Sequence, residues 1–365
     1  MSNTNPNNNA PIITPSEVTL AAEIAFNSGN FLYLEGPGGG GKTSIACNDL
    51  PRALNRELWY ANLNGSAPTE CLGYGQPQEN GDMTFYAPEQ WPTADRVGDK
   101  PVLLVIDEFN DYEKEVKALL RSLYPAQGKP RVGTHVLGDD VKVVVLGNRR
   151  SDGTSSRVEE APFTSRCSKY TLLPSVADWM AWADTNEAVR NSNSHVPTFL
   201  KFSNDFGGDV DHFCPPVQMP YTGAPHPTPR QWASIALAEK FRLSNPDAYR
   251  RHVRACVGEK AALAYEGFLQ HVDALPAVEE IKKNPDGFKL SDDPVEQFAA
   301  VSCCLATVAH GVDNYGVAVA EGKFDWLVTL LLRCRGDIRE FGARACVRKG
   351  IPLDQHSKAT ELITL

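Results

Sequence analysis

Several things are scarce or missing from this chain, and each absence narrows the possibilities. No apolar run reaches the roughly eighteen residues that a membrane-crossing helix requires. The longest, "WLVTLLL" at 326–332, is too short and is closed by Arg333 and Arg335. Excess positive charge is missing too. The net charge is −9 and the pI is near 5.5, which argues against a broadly basic nucleic-acid-binding surface but leaves room for a local basic groove. The nine cysteines include no C-x-x-C pair, and most sit in apolar helical text such as "VSCCLATV". They read as reduced core residues. The eight histidines fall at no zinc-like spacing, so a metal site made of protein side chains alone is not expected. The N-terminus "MSNTNPNNNAPIITP" has no hydrophobic signal core. It reads as a disordered lead-in over 1–14, and the expected location is cytoplasmic.

What is present is an ordinary globular composition, 42% hydrophobic and 22% charged over 365 residues, long enough for more than one domain. The first half alternates short apolar runs with helical ones. "FLYLEG" (31–36), "ELWYANL" (57–63), "PVLLVID" (101–107), "VKVVVLG" (141–147) and "KYTLLP" (169–174) are the strand candidates. Several are almost wholly apolar, as strands of a parallel sheet buried on both faces must be. Between them, "YEKEVKALLRSLY" places Tyr112, Val116, Leu119, Leu120 and Leu123 on one helical face. The pattern predicts an α/β fold, a five-stranded parallel sheet flanked by helices over 15–175. Two stretches break the alternation: "NGDMTFYAPEQW" (80–91) reads as an inserted hairpin or strand, and "GKPRVGTHVLGDDVKVVV" (128–145) as a hairpin turning at "GDD". Beyond about 175 the text becomes helical. The expected division is a lid with a long loop insertion over 176–245, then a helical extension over 246–365.

The chemistry is concentrated in a few places. Gly36, Pro37, Gly38, Gly39, Gly40, Gly41, Lys42 and Thr43, followed by Ser44, satisfy G-x-x-x-x-G-K-[ST]. A loop that wraps phosphate oxygens with backbone N–H groups has little room for side chains, which favours glycine. The helix that follows turns its positive end toward the phosphates. Lys42 is placed to reach the β- and γ-phosphates and Thr43 to ligate Mg²⁺. In "LLVIDE", four apolar residues bury a strand and deliver Asp107 and Glu108 to its C-terminal end, where ligands of open α/β sheets bind. Asp107 is the expected water-mediated Mg²⁺ ligand and Glu108 the base that orients and deprotonates the attacking water. Asn148, ending "VVVLGN", is placed to position that water or touch the γ-phosphate. Arg166, in "EEAPFTSRC" before the last strand, is a candidate arginine finger acting on a neighbouring subunit's nucleotide, with Arg157 as the alternative. In "HPTPRQW", Thr228 is a possible N-cap and Pro229 a first helical residue. Arg230 then sits in a first turn, an unfavourable place for a cation unless it faces an anion such as the γ-phosphate.

Taken together these segments resemble the AAA+ ATPases, and within them the MoxR-like group of bacterial and phage proteins. The glycine-rich loop corresponds to Walker A, "VIDE" to Walker B, Asn148 to sensor 1, Arg166 to the arginine finger and Arg230 to sensor 2. The inserted pair at 80–91 resembles the helix-2 insert, and 128–140 the pre-sensor-1 hairpin. The resemblance spans roughly 15–245. It implies ATP and Mg²⁺ as cofactors, a homo-oligomeric ring, usually a hexamer, and a chaperone-like remodelling role beside a von Willebrand factor A domain partner. Two other readings stay open. One is an ATPase acting on nucleic acid, such as a helicase loader, clamp-loader-like protein or restriction motor. Lys129 and Arg131, set against Asp139 and Asp140, give it no clear basic stripe. The other is a nucleotide switch without productive turnover.

Overall fold

The computed structural model describes residues 4–5, 8–123, 129–149, 163, 165–206, 211–214, 223–308, 322–348, 350–351, 353 and 356–363. In chain order the strands are β1 (Thr4–Asn5), β2 (Asn8–Ile13), β3 (Phe31–Gly36), β4 (Glu57–Asn62), β5 (Tyr74–Pro77), β6 (Met83–Tyr86), β7 (Val102–Asp107), β8 (Arg131–Val132), β9 (His135–Val136), β10 (Val141–Asn148) and β11 (Cys167–Leu172). Seven of them form one sheet in the order β1-β2-β11-β3-β10-β7-β4. Every pairing from β2 to β4 is parallel, and only the edge strand β1 runs antiparallel.

Burial on both faces explains the apolar text of the central strands. All six residues of β7 are buried. Leu104 and Ile106 join Tyr33, Val143 and Val145 on one face, against Val116 and Leu120 of helix Lys114–Leu120. Leu103 and Val105 alternate with them and join Leu32, Leu34, Val144 and Leu146 on the other. There they meet Ala21, Ala22 and Ala25 of helix Val18–Asn27, and Ala46 and Leu50 of the helical segment 42–53. Each fully buried Leu, Ile or Val contributes about 1.5–3 kcal/mol by transfer from water, so the two faces rather than the exposed edges hold the sheet together.

The sheet has one more parallel strand than expected, and that strand lies within the segment read as a disordered lead-in. Ile12 pairs with Thr171 and Ile13 with Leu172, and the Leu173 amide donates to Ile13 O at 3.0 Å. Two β-branched residues and one free sheet edge suffice here, despite the surrounding asparagines. The inserted hairpin also sits earlier than its sequence suggested. Tyr74 pairs with Tyr86 and Pro77 with Met83, and Gly81 takes φ +86° in the turn. The second hairpin turns at Gly133, φ +58°, between Val132 and His135. "GDD" instead leads into β10, where Arg56 donates to the Asp140 carboxylate at 3.0 Å.

The chain divides into two compact units, Met1–Asn191 with Phe213–Leu237, and Ser192–His212 with Ala238–Leu365. Helices Val176–Thr185 and Pro229–Leu237 therefore belong with the sheet, and the division falls elsewhere than at 175 and 245. The second unit is helical. Its helix Pro246–Ala274 is broken at Gly258, φ 77°, where only glycine is at ease. Helix Val196–Phe206 lies in the region expected to carry a long loop insertion. Its buried Val196, Phe199, Leu200 and Ser203 follow the i, i+3, i+4, i+7 spacing. Phe202 and Phe206 pack on Phe298. Glu239, buried, accepts from Tyr249 Oη at 2.8 Å and Ser194 Oγ at 3.0 Å. All nine cysteines are thiols.

Candidate functional site

The parallel order places the C-terminal ends of β3, β7 and β10 side by side, with Asn148 opposite Gly36 across the β3–β10 pair. The glycine-rich loop leaves β3 at this edge. Gly39 and Gly41 take φ +73° and +92°, values an L side chain rarely adopts. A Cβ on Gly39 would also lie 2.9 Å from Thr228 Oγ1. The helix that follows begins at Lys42 and passes through a π turn over Ile45–Asp49.

Lys42 is buried. Its ammonium donates to Gly36 O and Pro37 O, each at 2.9 Å, and to Asn148 Oδ1 at 3.0 Å. Thr43 Oγ1 donates to Asp107 Oδ2 at 2.8 Å. The loop, the end of β7 and the end of β10 are thereby joined. The Glu108 amide closes on Asp107 Oδ1 at 2.8 Å, and Glu108 itself sits at φ 55°, a left-handed conformation uncommon for a residue with a Cβ. Its Oε2 accepts from Asn62 Nδ2 at 3.0 Å and Asn64 Nδ2 at 3.3 Å.

The end of β10 is fixed from below. Asn110 Nδ2 donates to Asn148 O at 3.0 Å, and Tyr33 Oη donates to Asn110 Oδ1 at 2.5 Å. A Cβ on Gly147 would stand 2.0 Å from that Asn110 oxygen. Any side chain immediately before Asn148 would therefore displace Asn110 or Tyr33.

Thr228 caps helix Pro229–Leu237, its Oγ1 accepting from the Gln231 amide at 3.2 Å. The Arg230 amide donates to Gly39 O at 3.2 Å, and Trp179 Nε1 donates to Pro229 O at 3.1 Å. The helix N-terminus is so anchored to the glycine-rich loop. A cleft of about 630 Å³ opens here, lined among others by Lys42, Asp107, Glu108, Asn148, Trp182 and Arg230.

Arg166 is not part of this cleft. It precedes β11, its carbonyl accepting from the Phe31 amide at 3.1 Å, at the start of β3 rather than its end. At about 3.3 Å per residue, the length of β3 puts some 16 Å between the two. Arg157 lies outside the described residues.

Sequence reading missed Tyr60, Asn62 and Asn64. Tyr60 Oη donates to Asp107 Oδ2 at 3.1 Å. Partial desolvation of the hydroxyl, reinforced by the Asp107 carboxylate, pushes its phenol up to about 12, so it stays a proton donor at neutral pH. The Cys47 thiol, affected in the same way, is pushed up to about 11. Among the described residues no group of three or more His, Cys, Asp or Glu side chains could hold a metal. The oxygen pair of Thr43 and Asp107, hard donors facing an open cleft, nonetheless suits Mg²⁺ completed by water and phosphate oxygens. No described helix is long and apolar enough to cross a membrane.

No protein-family model matches the chain, and no curated protein matches it. Among solved structures it is similar to a mutant of RuvB from Thermotoga maritima, at 14% identity over 77% of this chain and 78% of that one, with a TM-score of 0.36.

Proposed function

We propose that this chain is a Mg²⁺-dependent ATPase of the AAA+ type. The observation that carries the reading is the meeting of Lys42, Thr43, Asp107, Glu108, Asn148 and Arg230 in one cleft at the C-terminal edge of a parallel sheet. Backbone amides of the loop 36–44 and the Lys42 ammonium hold the phosphates. Thr43 and Asp107 would hold Mg²⁺, which would supply charge neutralisation for the phosphates. Glu108 takes the proton of the attacking water, and Asn148 and Arg230 contact the transferred phosphoryl group. Trp182, which also lines the cleft, offers a stacking surface for the base.

Arg166, about one strand length from its own cleft, acts on the site of a neighbouring copy, which supports a homo-oligomeric ring, hexameric by the resemblance. The same resemblance supports remodelling of a protein complex, beside a von Willebrand factor A domain partner. The nucleic-acid alternative gains little from the second hairpin, where Lys129 Nζ lies 2.5 Å from Asp139 Oδ1 and leaves Arg131 without a clear basic stripe around it.

ATP turnover by the purified protein, measured with and without Mg²⁺ and with and without DNA or RNA, tests both levels. Mg²⁺-dependent turnover indifferent to nucleic acid is expected. Absence of turnover at oligomer-forming concentrations would favour the switch reading, and strong stimulation by DNA would replace protein remodelling with the nucleic-acid role.

A further inference from the structure

We infer that Tyr60 is a positioning residue of the Mg²⁺–nucleotide site, holding the Asp107 carboxylate in the orientation that receives the cation; this rests on the reading of the cleft given above. Tyr60 lies on β4, the edge strand of the sheet. In the β4–β7 register Asn62 stands opposite Asp107 and Tyr60 opposite Val105. Tyr60 and Asp107 are thus diagonal neighbours on one face, near enough for the tyrosine hydroxyl to reach Oδ2 at 3.1 Å. At 43% exposure the ring contributes little to the core. What it does contribute is a hydroxyl aimed at Asp107 Oδ2.

Three donors hold this carboxylate. Thr43 Oγ1 and Tyr60 Oη share Oδ2, and the Glu108 amide takes Oδ1. The Thr43 hydroxyl would ligate the cation through an oxygen lone pair while its O–H still points to Oδ2. Tyr60 is the side-chain donor of the three that is assigned no place in the cation's coordination. One bond on each carboxylate oxygen, Tyr60 on Oδ2 and the amide on Oδ1, then fixes rotation about the Cβ–Cγ bond. Without Tyr60, Oδ2 is left to the Thr43 hydroxyl alone, the group that would also ligate the cation.

Tyr60→Phe removes the hydroxyl and keeps the ring. The discriminating measurement is Mn²⁺ affinity in the presence of ADP, followed by the loss of the free-ion electron paramagnetic resonance signal. Alongside it, ADP affinity is measured in EDTA with a fluorescent analogue. We expect Tyr60→Phe to bind Mn²⁺ about tenfold more weakly, the scale of one hydrogen bond to a charged group. ADP affinity in EDTA and the melting temperature should be unchanged. Equal Mn²⁺ affinity in the two proteins overturns the inference. So does a parallel loss of ADP affinity in EDTA, since that marks a general disturbance of the cleft. Tyr60→Leu, which also removes the ring, should weaken Mn²⁺ to the same degree as Tyr60→Phe, and a much larger loss would assign the effect to packing and likewise overturn it. If the unsubstituted protein itself shows no nucleotide-dependent Mn²⁺ binding, the reading of the cleft fails rather than the role of Tyr60 within it.

Discussion

The two ends of one parallel sheet are built on different terms. At the C-terminal ends of β3, β7 and β10, side chains of opposite character converge and bond one another: an ammonium, two carboxylates, a hydroxyl and amides. At the N-terminal ends lie Phe31, Val141 and Val143, with Lys142 and Arg166 beside a smaller recess of about 350 Å³. The first end is the proposed nucleotide site, built from this chain's own residues. The second presents the side chains of Lys142 and Arg166. The difference teaches that the chain separates the holding of a nucleotide from one of the charges proposed to act on it.

The sharpest way to break this comparison is to substitute one cation at each end. Lys42→Ala should weaken nucleotide binding by about 100-fold or more, because it removes a buried charge from the phosphate loop, whereas Arg166→Ala should leave affinity within about twofold. A fluorescent-nucleotide titration reads both. If Arg166→Ala abolishes binding, the two ends are not separate. For turnover, Arg166→Ala should cost roughly 10³-fold, the range of a finger arginine. Mixing it with Lys42→Ala should restore activity, since each copy supplies what the other lacks; a mixture as inactive as its parts would rule out sharing. Glu108→Gln should retain nucleotide and lose about 10²–10⁴-fold in turnover, seen as ATP persisting on the isolated oligomer. The mildest test concerns the support beneath the first end. Gly147→Ala forces a Cβ against Asn110 and should lower stability by about 1–3 kcal/mol, read as a fall in melting temperature that a substitution at exposed Lys129 would not cause.

How much of this was legible depended on how local the cause is. The glycine-rich loop was readable because its constraint, backbone approach at positive φ, acts over a few neighbouring residues. Asp107, Glu108 and Asn148 were readable because an apolar run must end at a sheet edge. Tyr60, Asn62 and Asn64 were not, because their relation to Asp107 and Glu108 follows from the pairing and register of β4 against β7, which one strand's text does not contain. β2 was hidden for a similar reason: its Asn-rich sequence has little propensity of its own, and the open edge of β11 decides its conformation. Helix Val196–Phe206 was half hidden, since its buried positions have helical spacing but its polar end ran on into loop-like text.

The three bonds of Lys42 have one further consequence. The ammonium has three N–H donors, and two backbone carbonyls and the side-chain oxygen of Asn148 are among its acceptors. An anion drawn to the loop must evict one of these. The carbonyls are fixed by the chain, and stranding either would cost about 1–3 kcal/mol. Asn148 can swing its amide on its own torsions, so it is the occupant that yields. Arrival of an anion and release of Asn148 would then be a single exchange, and the residue set free is the one proposed to position the attacking water.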